Sequence, residues 1–391
     1  MAHVEKRAPQ TPGGVVRYRV RYTDPAGKER SKSFVKAVDA KNFAVNVEAD
    51  KLRGSYIDPD AGKITLAHYL DTWLAAQTSA ESSRESTETR VRVHIRPELG
   101  ERPLRTILPS HIQAWVRGLQ RDGVAPSYIK TIFANLSAVL NAAVDDDLIR
   151  RNPCNAGTVK LPRLDPSKVQ AWEPEDVIAV QDALPQRYRV MALLGAQCGL
   201  RQGEIFGLGV EHVDFMRGKI HICRQVKIVR NKQVFDLPKG GKSRVVDSVP
   251  DDLLMMLSRH LQRWPDATVT LPWQKPGGRD ETVCLVLSTR EGTALHRNYI
   301  NTHVWKVAVR EVGIEPDRHN MMHVLRHSFA AALLADGVSV QRVAVLLGHS
   351  DPGFTLRYYA HFVKSQENQL KDVMRRLYRE EGTPTIAAPT A

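Results

Sequence analysis

The chain has 391 residues, 42% hydrophobic and 25% charged. That is enough for two or three domains with cores of their own, and too apolar for wholesale disorder. Lys plus Arg number 56 against 43 Asp plus Glu, a net charge of +13 that points to a polyanion as partner. Four cysteines (Cys154, Cys198, Cys223, Cys284) without CxxC spacing argue against a disulfide scaffold and a cysteine-based zinc site. The absence of an apolar N-terminal segment, and of any apolar run near about 18 residues, argues against a signal peptide and a membrane span and fits a reducing cytosol.

Residues 1–62 open with an alternating stretch, VVRYRVRY at 15–22. Alternation puts Arg17, Arg19 and Arg21 on one face of a strand and Tyr18, Val20 and Tyr22 on the other. DPAGK at 24–28 marks a turn, SKSFV continues as a second strand, and 37–54 reads as a helix ending at Gly54. A sheet with one cationic face could lie in a DNA groove, although an ordinary solvated face reads the same way. Residues 63–158 read as four amphipathic helices, with Thr65, Ser86, Ser110 and Ser127 as their opening residues. The proline-bearing stretch 152–170 reads as a basic linker, assigned to 159–170, and 381–391 as a disordered tail.

Residues 171–380 mix helices and strands and hold the chemistry. In YRVMALLGAQCGLRQGEIFGL an apolar helix ends near Gly199 and a short one follows. Arg201 then starts the new helix, with Glu204 one turn on, where a carboxylate could hold the guanidinium. Residues 220–249 alternate as a hairpin or small sheet whose PKGGK tip carries Lys239 and Lys242 around two glycines. HVLRHSFAAALL reads as a helix with His323 and Arg326 on one face. His319, His323 and His327 share a helical spacing that suggests a metal, but no HExxH glutamate accompanies them. Ser339 caps a helix that stops at Gly348 and leaves His349 just beyond; Thr355 is the expected cap of a further helix carrying Tyr358 and Tyr359, followed by His361.

Taken in order, an Arg, a turn Lys, HxxR, LGH and a Tyr ten residues later resemble the tyrosine recombinase family, the phage-integrase group. The resemblance covers the whole chain and is strongest from His323 to Phe362. It implies a multidomain α+β fold: a small β-sheet plus helix arm-site DNA-binding domain (1–62), a helical core-binding (SAM-like) domain (63–158) and a mixed α/β catalytic domain (171–380). It also implies site-specific recombination that integrates or excises a phage or other mobile element, with DNA cleaved by a tyrosine through a 3′-phosphotyrosyl intermediate.

The residue types suit that reaction. A pentacoordinate phosphorane gathers negative charge, and two guanidiniums, Arg201 and Arg326, can bind it through paired hydrogen bonds. His323 and His349 can add hydrogen bonds or accept a proton. Lys239, with Lys242 as the alternative, can protonate the leaving 5′-oxygen. Tyr359 precedes x-His and is the expected nucleophile, with Tyr358 the alternative; by resemblance Glu204 supports the first arginine. No cofactor or metal is expected.

The implied partners are core and arm attachment sites of double-stranded DNA, three further copies in a tetramer, and an excisionase and a DNA-bending host factor. The final stretch KSQENQLKDVMRRLY reads as a helix that docks on its own domain or on a neighbour. Two other readings use the same residues: a type IB topoisomerase-like relaxing enzyme, and a non-catalytic DNA-binding regulator.

Overall fold

The computed structural model describes residues 2–7, 15–25, 27–54, 56, 58, 61–163, 169–265 and 267–362. The tail at 381–391 and the final helix expected from 364 onward lie outside them. Two units are distinguished, Met1–Asp165 and Pro166–Ala391. No described helix is long and apolar enough to cross a membrane.

In the first unit, β1 (His3–Arg7), β2 (Arg17–Thr23) and β3 (Glu29–Phe34) pair antiparallel in the order β1-β2-β3. The sequence reading has the last two strands and lacks β1. As the alternation predicts, Val20 and Tyr22 turn inward, where α1 (Ala37–Leu52) supplies Ala40, Ala44 and Val47 to a small core. Arg17 and Arg21 stay exposed on the opposite face, and Arg19 donates to Ser31 Oγ at 2.7 Å.

A separate helical core follows. α2 (Leu66–Ala75) starts as expected, with Thr65 accepting from the His68 N–H. The other three openings differ. α3 (Glu81–Arg90) begins before Ser86 and runs through a π turn (Val91–Ile95) into α4 (Arg96–Leu99). Its entry is polar and held by Arg84 between Glu81 and Glu88, so apolar periodicity does not reveal it. α5 (Pro109–Arg121) and α6 (Pro126–Asp145) each begin on a proline one residue ahead of the serine, because proline's fixed φ suits the first helical position. Ile95, Ile112, Ile132, Leu136 and Leu140 are fully buried among these helices.

The stretch read as a linker is folded over its first part. Asn152 is buried and bonds the Ser137 carbonyl, Asn141 and the Cys154 N–H, and Val159 and Leu161 pack against the helical core. Five linker positions, 164–168, lie outside the described residues.

In the second unit α7 (Pro174–Ala183), α8 (Val190–Cys198) and α9 (Gln202–Phe206) come first. Then β4 (Val213–Asp214), β5 (Lys219–Ile222), β6 (Gln225–Val229), β7 (Lys232–Asp236) and β8 (Arg244–Val246) form two small sheets, β4-β5-β8 and β6-β7. The hairpin turn is at Arg230–Asn231, both with positive φ. PKGGK is not a hairpin tip: it carries the chain from β7 in one sheet to β8 in the other. Alternation alone does not say which strands pair.

α10 (Asp251–Arg263), a β9 (Ala267–Pro272) and β10 (Asp280–Leu285) hairpin, α11 (Arg297–Tyr299) and α12 (Lys306–Glu311) complete the main core, in which Trp172 stacks on Trp305 at 5.8 Å. α13 (His323–Ala335), α14 (Val340–Leu347) and α15 (Pro352–Tyr359) enclose a second cluster that includes Phe329, Leu347 and Tyr359.

Candidate active site

The pocket is built on two helix ends. α8 stops at Gly199, which adopts φ +64, and a Cβ there would lie 2.6 Å from the Phe329 ring. Only glycine satisfies both the left-handed cap and the close approach. The reversal puts Arg201 in an extended conformation at the N-cap of α9. The Glu204 side chain returns to it, accepting from the Arg201 N–H and from Nη1, both at 2.8 Å. The first of these bonds satisfies a donor that the helix start leaves open.

Glu204 is 1% exposed. Burial alone would raise its carboxyl, but Arg244 and then Arg201 hold it down to about 2. Arg244 grips it bidentately, at 2.9 and 2.6 Å, and donates Nε to the Leu346 carbonyl at 2.9 Å. One carboxylate thus fixes two guanidiniums, and the second of them is tied to the end of α14.

α14 runs from a Ser339 cap, as expected, to Gly348 at φ +66. Its turn sets His349 beside Arg326 of α13. Arg326 is 2% exposed and donates to the Gly199 carbonyl at 2.6 Å, to the Leu347 carbonyl, and to His349 Nε2 at 3.3 Å. Burial, with Arg201 and Arg244 nearby, lowers its ionisation to about 9, so it stays a cation at neutral pH. A guanidinium can only donate, so His349 Nε2 accepts and its proton sits on Nδ1, which meets Thr355 Oγ1 at 2.8 Å. Burial and then Arg326, Arg201 and Arg244 lower His349 to about 4. Thr355 is therefore not the cap of α15: Asp351 is, accepting from the Gly353 N–H, while Thr355 is buried under His349.

Tyr359, at the end of α15, is 2% exposed, and Tyr358 is 49% exposed and packs on Phe354. The Tyr359 hydroxyl lies 2.6 Å from His327 Nδ1. Burial raises the phenol to about 12, while Arg326 and then Arg201 pull the other way, which brings the tyrosine within electrostatic reach of both arginines. His327 is lowered to about 4, by burial and then Arg326. His323 stands exposed at the rim, edge-on to His327 at 4.6 Å. Its ionisation is lowered too, by desolvation first and then by His327, Arg326, Arg201 and Lys239. Lys239 and Lys242 are both exposed in the turn, and of the two Lys239 is the one whose charge reaches His323.

Arg201, Glu204, Arg326, His349 and Tyr359 are thus brought together, with His323 against His327 beside them, and Lys239 is near enough for its charge to be felt at His323. Arg17, Arg19 and Arg21 belong to the first unit. His361 turns its Nε2 to the Val169 carbonyl at 3.2 Å. Among the described residues no group of three or more His, Cys, Asp or Glu side chains is arranged to hold a metal, and His327 is engaged by Tyr359 instead. The sequence reading misses Arg244 and Thr355. Arg244 follows the PKGGK turn by two residues, but nothing in strand alternation says that it points at Glu204.

Residues 171–366, half of the chain, match the Phage integrase family, and residues 65–120 match the phage integrase N-terminal SAM-like domain. The chain belongs to the phage integrase family. It is a site-specific tyrosine recombinase, an enzyme that cuts and rejoins DNA.

The recombinase is 25% identical over 345 residues to a tyrosine recombinase XerC-like protein of Caldanaerobacter subterraneus subsp. tengcongensis, covering 82% of this chain and 85% of that one. It is 27% identical over 300 residues to the integrase of Mycobacterium phage L5, 76% of each chain. Its fold is similar to that of the Tn1549 transposon integrase in complex with transposon right end DNA (TM-score 0.68, 18% identity, 81% of this chain and 100% of that one). It is also similar to the lambda integrase tetramer bound to a Holliday junction (TM-score 0.58, 17% identity, 89% and 93%).

Proposed function

We propose that this recombinase integrates or excises a mobile element, with Tyr359 as the nucleophile. The phenolic oxygen attacks the scissile phosphorus, forms a 3′-phosphotyrosyl link and releases a 5′-hydroxyl. Storing the bond energy in that link lets the strand be rejoined without ATP. Arg201 and Arg326 hold the phosphorane's charge, Glu204 and Arg244 fix Arg201 in place, and His323 and His349 add hydrogen bonds. Lys239 protonates the leaving oxygen from its glycine-flanked turn. What carries this reading is the convergence of two guanidiniums, a histidine pair and one buried tyrosine, contributed by residues 201–359, into a single pocket.

Three divisions of the chain complete the proposal. Residues 1–62 bind arm sites through Arg17, Arg19 and Arg21, residues 63–158 bind core sites, and residues 171–380 do the chemistry, with Lys242 touching DNA beside Lys239. The assembly on DNA is a homotetramer, as in the lambda integrase structure on a Holliday junction. An excisionase and a DNA-bending host factor set direction, and the enzyme works in the bacterial cytosol.

The decisive experiment is mass spectrometry of the adduct trapped on a duplex nicked beside the crossover point. An oligonucleotide on Tyr359, and none with Tyr359→Phe despite unchanged binding, is the expected result. An adduct on Tyr358 would overturn the assignment.

A further inference from the structure

Every attack by a phenol must dispose of a proton, and the pocket holds three histidines that could receive it. We infer that His327 is the general base: its Nδ1 takes the Tyr359 proton as the oxygen attacks, and gives it back when the strand is rejoined. This rests on Tyr359 being the nucleophile.

The geometry separates the candidates. His327 Nδ1 sits 2.6 Å from the phenolic oxygen, within the distance that proton transfer requires. His349 is engaged at both ring nitrogens, by Arg326 and by Thr355. His323 packs edge-on against His327 and is exposed at the rim. A phenol donates to a neutral imidazole nitrogen, so His327 carries its own proton on Nε2 and presents a lone pair at Nδ1.

The atoms balance within the pocket. The Oη–P bond forms and the P–O5′ bond breaks. The Oη proton goes to His327, and the 5′-oxygen receives a different proton from the acid on the other side. The imidazolium that results is the conjugate acid needed for the reverse step.

The surroundings make this base conditional on DNA. His323 and Arg326 flank it on α13, His349 approaches from the turn after α14, Tyr359 from α15, and Arg201 from the turn before α9, while His361 faces the Val169 carbonyl. Without DNA, burial and then Arg326 hold His327 at about 4, and burial holds Tyr359 at about 12. The proton then stays on the tyrosine. A phosphodiester seated against Arg201 and Arg326 cancels the charges that penalise an imidazolium. As the phosphorane forms, the charge leaving the phenol is held there by the same arginines. The enzyme is thus inert toward stray electrophiles until a phosphate occupies the pocket.

Single-turnover cleavage of the nicked duplex by the full chain, followed from acid to alkaline pH, tests this. His327→Asn keeps an acceptor where Nδ1 stands but cannot hold the proton. It should bind DNA normally, cleave about 100-fold more slowly at neutral pH, and recover as pH rises. On DNA with a bridging 5′-phosphorothiolate, whose thiolate leaves without a proton, the deficit should persist while that of Lys239→Ala disappears.

Cleavage by His327→Asn within about threefold of the parent at every pH would overturn the inference. So would a deficit equal at all pH values, which marks a merely structural role, or one erased by the thiolate, which places His327 on the leaving-group side. The parent supplies a readout independent of folding in any variant: its rate must rise through one ionisation and level off, and a rate still climbing toward phenol ionisation overturns the inference. Tyr359→Phe keeps the two readings apart. If it still forms an adduct, the nucleophile is wrong; if it is inert while His327→Asn is unimpaired, only the base is wrong.

Discussion

Arg21 lies on the open face of the N-terminal sheet, exposed. Arg326 lies at the centre of the catalytic unit, 2% exposed and held by two backbone carbonyls and a histidine. One side-chain type serves two physical purposes. Arg17 and Arg21 are exposed, and in the proposed arm-site role each would add a modest, salt-screened attraction that tolerates displacement. The pocket arginines have given up that freedom in folding. The Gly199 and Leu347 carbonyls hold Arg326 and Glu204 holds Arg201, so in the proposed reaction little reorganisation would remain for the transition state. A surface that gathers DNA can be built from charge alone, whereas a site that reacts with it needs every donor directed.

The strongest way to break this contrast is Arg326→Lys. A lysine keeps the charge but cannot reach both carbonyls and still present a forked pair to phosphate. Cleavage of the nicked duplex should fall about 1,000-fold, while duplex affinity and its salt dependence change little. Near-normal cleavage would mean that charge suffices in the pocket as it does on the sheet.

Next comes Glu204→Gln, which leaves two half-buried cations sharing a buried neutral amide. Denaturant unfolding should show a loss of about 3 kcal/mol. The pH dependence follows from the same residue. Its carboxyl is at about 2 when folded against an ordinary 4.5, so on acidification the unfolded chain takes the proton first. That stabilisation is complete above pH 4.5 and is lost between 4.5 and 2. His327 and His349, lowered from 6.5 to about 4, act earlier: unfolded histidines bind protons that the folded pocket refuses, so stability also falls between pH 6.5 and 4. Melting temperature against pH should drop in these two overlapping steps, and Glu204→Gln should flatten only the lower one.

Much of this pocket is legible in the sequence, and the boundary is instructive. Arg201, Arg326, His349 and Tyr359 lie in short stretches whose local structure is encoded nearby, in the glycine stops at Gly199 and Gly348 and the Ser339 cap. The buried strand face and the Thr65 cap are local signals too, and they read correctly. What stays hidden depends on pairing across the chain. Arg244 meets Glu204 from 40 residues away, and PKGGK joins two sheets rather than closing a hairpin. His327 is visible at a suggestive spacing, but that spacing points to a metal, because the tyrosine that claims it arrives 32 residues later. Thr355 looks like a cap because a helical stretch with two tyrosines follows it, but Asp351 with Pro352 starts α15 three residues earlier, and Thr355, inside the helix, meets His349 instead.

The smallest effects belong to the sheet, and they sharpen the contrast from the other side. Arg17→Ala or Arg21→Ala removes an exposed cation with no buried contact to lose, so stability should stay within about 0.5 kcal/mol of the parent. Cleavage of a short core-site duplex should be unchanged as well. The loss should appear only on long attachment sites, as a uniform weakening across sequences and a salt slope shallower by about 1 per arginine removed. Arg19→Ala carries one further cost, the bond to Ser31 across the sheet, and should be the most disruptive of the three by a few tenths of a kcal/mol. If these substitutions slowed chemistry on the short duplex, the sheet would be acting on the pocket, and the division between gathering and reacting arginines would not hold. If they left the salt slope on long sites untouched, the cationic face would be an ordinary solvated one, and arm-site binding would have to be sought on other residues of 1–62.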